Sequence, residues 1–382
     1  EEMIFMAVSY YFDEDEYEGF FSYNRFENTD KGDETEINRG MHVGSALVAY
    51  VLDKNPRFGR EEHLDLSGDP TAPHNITLVS AVPIRSDGNK LSAFALATPT
   101  IADIDGNDEE DVLIGTSMGM IYCMHARHMY NIDGWPVQIP NPIESRILVE
   151  DVLGDTNLEI FVNDVAGNIF CFDIKANIIW NRSLKDTIQF TDEILAISPM
   201  TMGDVNGDGI LDIVMTFKVL EGSQWASYVV AISAKTGDDL ANFPMKFESP
   251  LPIDDGTADA KILQKLPQAL LIDLHGEQGH WKPYLYRNGT GWDHPVKERV
   301  HDSPHGGKAP GLHIVQPIGS NVYIIEGGSG CTQNIAVGEE INAMVQADDV
   351  HGTNNIDLVV STRSGNILTL ESPAVPYHPL NV

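Results

Sequence analysis

The sequence predicts an all-β chain assembled from repeated antiparallel units, and three observations carry that prediction. A nine-residue acidic loop recurs along the chain. A strand, a glycine turn and a second strand follow three of its copies. No stretch sustains 3.6-residue apolar periodicity over three turns, so helices are expected to be scarce. The 33 glycines and 21 prolines punctuate many short apolar runs, as short strands and tight turns require.

The clearest loop reads Asp204-Val-Asn206-Gly-Asp208-Gly209-Ile210-Leu-Asp212. Oxygen-bearing side chains stand at positions 1, 3, 5 and 9, and Ile210 can add its backbone carbonyl at position 7. Ca²⁺ takes six to eight such oxygens. Glycine at position 6 frees the sharpest point of the turn from a Cβ clash. The pattern returns as Asp103, Asp105, Asn107, Glu109 (backbone) and Asp111, with Asp108 in the glycine's place. Three echoes are weaker. Asp151, Asp155 and Glu159 keep positions 1, 5 and 9, but Leu153 holds position 3. Asp349 and Asp357 keep the ends around His351 and Thr353. Asp273 opens a frame continuing with His275, Glu277 and Trp281. Calcium is expected at the loops opening at Asp204 and Asp103, and metal-free turns at the other three. An EF-hand is excluded, because its twelfth position would be Met215 or Ile114.

Position 1 falls at residues 103, 151, 204, 273 and 349, giving gaps of 48, 53, 69 and 76 (151 − 103, 204 − 151, 273 − 204, 349 − 273). Hairpins follow as Ile114 to Met124, Val162 to Phe172 and Val360 to Leu370, each with a central glycine at 119, 167 or 365. Four short strands in about 50 residues is the length of a propeller blade. The expected architecture is therefore one β-propeller domain over 1–382 with about six units, the first and last incomplete. These span roughly 1–70, 95–145, 146–195, 196–250, 266–338 and 340–378, with an acidic insertion at 13–39. The opening run from Met3 to Tyr11 reads as a strand that follows a loop lying upstream, and residues 42–51 as the next strand.

With these segments laid out, the chain resembles the FG-GAP repeat family of integrin-α-like propellers. It is most similar to the Defective-in-Exine-Formation family of plants and its relatives in other eukaryotes. The residues carrying the resemblance are Ala7 to Asp13, Thr98 to Gly106, Ile114 to Ser117, Gly167 to Ile169, Gly203 to Gly209, Leu270 to Asp273, Asp357 to Ile367 and Pro376 to Leu380. They run in order nearly end to end. The resemblance implies a seven-bladed propeller on the lumenal or extracellular side of a single-pass membrane glycoprotein, anchored through a segment outside this chain. It implies Ca²⁺ in the loops, and protein, cell-surface or matrix ligands as partners.

Charge and motifs narrow the function classes. The formal net charge of −33, from 57 acidic against 24 basic residues, opposes nucleic acid and anionic membrane faces. Sequons at Asn75, Asn181 and Asn288 suit a secreted surface, Asn181 only if its strand lies at an outer edge. Cys123 and Cys171 occupy equivalent places in adjacent units and read as buried thiols; Cys331 is the third cysteine. His125 and His128, and the group His294, His301, His305 and His313, match no zinc-ribbon or helical spacing and read as solvated loop residues. There is no H-E-x-x-H or P-loop, and the string Gly115-Thr-Ser117-Met-Gly119 lies in an expected hairpin, not in the strand-to-helix turn of a nucleophile elbow. A non-enzymatic adhesion or scaffold module is the expected function. An enzyme acting on carbohydrate through the channel, and a cargo receptor of the secretory pathway, are the alternatives.

Overall fold

The computed structural model describes residues 2–11, 43–53, 75–83, 93–188, 194–221, 224–249, 266–275 and 311–376. The predicted insertion at 13–39, Asn288, Trp281 and the histidines at 294, 301 and 305 lie outside these residues. The chain divides into two compact units, Glu1–Val149 with Ile174–Ala176, and Glu150–Asp173 with Asn177–Val382.

The described residues of the first unit form two antiparallel sheets. Strands β1 (Glu2–Tyr11), β2 (Val43–Asp53) and β3 (Asn75–Pro83) form one, in sequence order. β3 lies past residue 70, so this sheet runs beyond the span expected from the repeat. Strands β4 (Thr100–Ala102), β5 (Asp111–Gly115), β6 (Met120–His125) and β7 (Val137–Gln138) form the other. Leu47 and Ala49 of the first sheet pack with Val112, Ile114 and Met124 of the second. Every residue of β5 is buried. That explains its continuous apolar run: a strand covered on both faces has no polar side to alternate with.

Four further sheets are described, all but the start of the first of them in the second unit. Strands β8 (Leu148–Glu150), β9 (Glu159–Asn163), β10 (Asn168–Phe172) and β11 (Ile178–Ser183) form a meander. The short helix α1 (Leu184–Ile188) follows, and is the one helix among the described residues. The next sheet is β12 (Ile194–Ile197), β14 (Asp212–Glu221), β15 (Gln224–Ser233) and β16 (Met245–Ser249), with β13 (Thr201–Gly203) also paired to β14. β12 and β13 are two pieces of one edge, interrupted at 198–200. Strands β17 (Leu270–Ile272), β18 (His313–Ile318), β19 (Asn321–Glu326) and β20 (Thr332–Ala336) follow. The last sheet is β21 (Gln346–Asp348), β22 (Asn355–Ser361) and β23 (Ile367–Pro376).

The sheet built on β18 shows how these layers pack. Ile314 and Ile318 join Val214, Val229 and Phe247 of the preceding sheet, whereas Val315 joins Ile356, Leu358 and Val360 of the following one. Successive side chains of one strand therefore fill two different cores. The fold class is as predicted: all-β, in four-stranded antiparallel meanders of propeller-blade type.

Candidate metal-binding loops

Each acidic loop connects the first two strands of its sheet, and register fixes its ends. Asp111 pairs across from Ala102, Asp212 from Gly203 and Asp357 from Asp348. The ninth position thus lies at or near the start of an inner strand, first in β5 and β14 and third in β22, and it is buried in consequence. Asp111, Asp212 and Asp357 are each 0% exposed.

Four loops share one backbone. Position 4 is glycine at positive φ in each, at Gly106, Gly154, Gly207 and Gly352. Position 6 is also left-handed, whether it is Asp108 (φ 64), Thr156 (φ 74), Gly209 (φ 94) or Asn354 (φ 60). Asp108 therefore does not spoil the turn, since a short acidic side chain tolerates this region. In every loop the position 1 carboxylate accepts the amides of positions 5 and 6. Asp204 takes those of Asp208 (3.1 Å) and Gly209 (3.0 Å). Asp103 takes Asn107 and Asp108, Asp151 takes Asp155 and Thr156, and Asp349 takes Thr353 and Asn354. The ninth carboxylate accepts an amide from position 2 or 3, from Ile104, Val152 and Leu153, Val205 or His351. The end acids thus build the turn whether or not a cation binds. Positions 3 and 5, and the environment of the ninth carboxylate, distinguish one loop from another.

At the Asp204 loop, Asn206 and Asp208 supply oxygens at both middle positions. Asn206 Oδ1 and Asp208 Oδ1 also receive the amides of Asp208 and Ile210. Asp212 Oδ2 accepts from Val205 at 3.0 Å, but its buried Oδ1 has no hydrogen-bond partner. Burial, and then the charges of Asp208 and Asp204, push this carboxyl from 3.8 up to about 7. A buried anion oxygen without a donor, among further acids, is the setting that a hard cation would satisfy. The donor set fits Ca²⁺: Asp204, Asn206, Asp208 and Asp212 by side chain, with the Ile210 carbonyl.

At the Asp103 loop the corresponding oxygen has a neighbour. His125 stands across the strand pair from Asp111. Its Nδ1 is 3.0 Å from Asp111 Oδ1, although off hydrogen-bonding geometry, and its Nε2 is 3.9 Å from Asp105 Oδ2. Burial raises the Asp111 carboxyl, with Asp105 adding to the rise and the Ile104 amide and His125 opposing it. His125 is 9% exposed, so it is a part of this loop and not the solvated residue predicted; His128 is exposed as expected. Asp105, Asn107 and Glu109 are exposed.

The loops at 151 and 349 keep the backbone with fewer oxygens. Burial alone would raise Asp357, but the amide and ring of His351, the latter at 2.8 Å from Oδ2, bring its carboxyl below the ordinary value. The frame at 273 differs from its reading in the sequence. The residue across from Ile272 is His313, not a residue in the Trp281 region, so His313 occupies the ninth place. The Leu274 amide donates to His313 Nδ1 at 3.2 Å, as Val205 donates to Asp212. Contiguous counting hid this, because 276–310 separates the two ends of the frame.

Among the remaining predicted positions, Asn181 is exposed on β11, the outer strand of its sheet, as glycan attachment there would require. Asn75 is the first residue of β3. Cys123 and Cys171 are buried and unbridged, and Cys331 is exposed and unbridged. No helix among the described residues is long and apolar enough to cross a membrane.

No protein-family model matches the chain, and no curated protein matches it. Solved structures similar to it include BamB from Moraxella catarrhalis, at 12% identity over 79% of this chain and 69% of that one, with a TM-score of 0.41. BBS1N, solved in complex with ARL6DN, is 9% identical over 97% of this chain and 80% of its own, with a TM-score of 0.42. Saccharomyces cerevisiae Sqt1 is 7% identical over 87% and 81%, with a TM-score of 0.36. The fold assignment stands on the sheet topology itself, and these proteins' partners remain their own.

Proposed function

We propose that the chain is a calcium-stabilised, non-enzymatic β-propeller module of the FG-GAP, Defective-in-Exine-Formation kind. In this reading it serves as an adhesion or scaffold surface for protein or matrix ligands, on the extracellular or lumenal side of a membrane-anchored glycoprotein. The observation that carries the calcium part is Asp212: fully buried, with one oxygen unpartnered, beside Asp204 and Asp208. The acidic surface, the exposed sequon at Asn181 and the resemblance in sequence support the compartment and the class of partner.

Calcium here acts as a staple. An ion bound by the folded state alone adds RT ln(1 + [L]/Kd), about 2.7 kcal/mol at a hundredfold excess over Kd. Extracellular modules bind in the range of roughly 10⁻⁴ to 10⁻³ M, which a calcium-rich compartment saturates. The test is thermal melting of the native chain and the Asp204→Ala/Asp212→Ala variant, in millimolar Ca²⁺ and in EGTA. The native chain should lose stability on chelation and the variant should have lost most of that sensitivity. Equal melting of the native chain in both buffers contradicts the reading. Co-purification of the membrane-anchored protein tests the partner class, and recovery of intracellular partners alone would contradict it.

A further inference from the structure

The frame opening at Asp273 carries a different donor set on the same scaffold. Position 1 is Asp273, position 3 is His275 and position 9 is His313. His275 Nδ1 lies 2.7 Å from Asp273 Oδ1, and its Nε2 lies 3.4 Å from Glu326 Oε1. Glu326 pairs across the strands from His313. One donor atom from each of Asp273, His275 and His313 lies within 4.8 Å of the others. The two imidazole rings are 4.3 Å apart between centroids. The side chains of His275 and Asp273 are 15% and 13% exposed, so neither is sealed in the core.

We propose that this is a transition-metal site, with Zn²⁺ the leading occupant, held by Asp273, His275 and His313 and backed by Glu326. The proposal is independent of whether the other loops hold calcium. Replacing oxygen with imidazole at positions 3 and 9 removes hard donors and installs borderline nitrogen, which suits Zn²⁺ and its neighbours and not Ca²⁺. Bonds of about 2.0–2.1 Å set tetrahedral donors roughly 3.3 Å apart, so small side-chain adjustments within the observed spread would close the site. Three protein ligands leave a fourth position for water. The ion would take the place of the proton between Asp273 and His275; from an imidazolium that proton leaves to solvent, and from the neutral Nδ1–H tautomer it is exchanged through solvent for one on Nε2. His275 then ligates through Nδ1 while its Nε2–H faces Glu326. A carboxylate holding the far nitrogen of a metal-bound histidine fixes its tautomer and orientation. The unprotonated Nδ1 of His313 is held by one long contact, from Leu274, which the ion would displace.

The competing use of these residues is an internal staple, with a protonated His275 bridging Asp273 and Glu326 and no metal. Titrating the full chain with Co²⁺, in excess Ca²⁺ to fill the other loops, distinguishes the two. One equivalent of Co²⁺ should give the visible absorption of a four-coordinate N/O site, displaced by Zn²⁺. His275→Ala and His313→Gln should each weaken binding at least about tenfold, leaving the calcium-dependent melting shift unchanged. Variants that bind Co²⁺ as the native chain does would overturn the proposal. So would a native chain that binds no stoichiometric Co²⁺ or Zn²⁺, a result that stands even if a variant fails to fold.

Discussion

Replacing Asp212 with Asn separates the structural and ion-binding roles of the Asp204 loop. The side chain is fully buried, and Asn can still accept the Val205 amide that Asp212 Oδ2 accepts at 3.0 Å. What Asn removes is the charge. Without an ion the native carboxyl is raised from 3.8 to about 7, chiefly by burial. The sign follows from proton binding: between these values the folded state holds the proton more tightly than the unfolded one. The contribution of this group to stability is therefore greatest below about pH 4 and is lost as pH rises through about 7. Three pH units correspond to a ceiling on the order of 4 kcal/mol from this group. In EGTA at pH 7.5, the Asn variant should thus be at least as stable as the native chain. In excess Ca²⁺ the order should reverse, because the native loop gains about 2.7 kcal/mol at a hundredfold excess over Kd and the variant gains little. For a chain of this length that gain is about 3 °C in melting temperature. The assay is calorimetry or circular dichroism from pH 4.5 to 8 in the two buffers. An Asn variant that keeps the full calcium shift would refute the reasoning, as would a stability difference between native chain and variant in EGTA that does not change with pH.

Other expectations follow from the same geometry. Gly106→Ala should cost about 1–2 kcal/mol, because a Cβ there meets nothing within 4 Å and only the left-handed φ of 72° is penalised. Gly119→Ala should cost clearly more, since its Cβ would stand 2.3 Å from the Ile139 carbonyl oxygen; denaturant melts of the two variants compare them directly. Phe217→Ala, at a 0% exposed core position of β14, should cost about 3–5 kcal/mol by the same measurement. A thiol reagent should label one cysteine of three under native conditions. Cys331 is exposed, whereas burial raises the Cys123 thiol and pushes Cys171 up to about 12.

The blades were legible because both of their signals are local. The loop frame and the hairpin after it each lie within a dozen residues, and the apolar runs Val112 to Ile114 of β5 and Ile213 to Met215 of β14 follow from strands whose two faces are both covered. The turn itself was only half read. Position 6 drew notice for Gly209, yet Asp108, Thr156 and Asn354 adopt the same region, and the glycine at position 4 is the one kept in all four loops. What stayed hidden was non-local. His125 reaches Asp111 only through cross-strand register, fourteen residues on. His313 reaches the ninth place of its frame across an insertion that contiguous counting cannot bridge. Such placements are set by strand pairing, which leaves no spacing in the sequence to count.

The central claim is that the Asp204 loop holds calcium, and direct binding tests it most simply. Isothermal titration of the decalcified full chain with Ca²⁺ should show a site in the sub-millimolar to millimolar range that disappears in Asp212→Asn. An identical isotherm in the variant, or no calcium binding by the native chain, would contradict it.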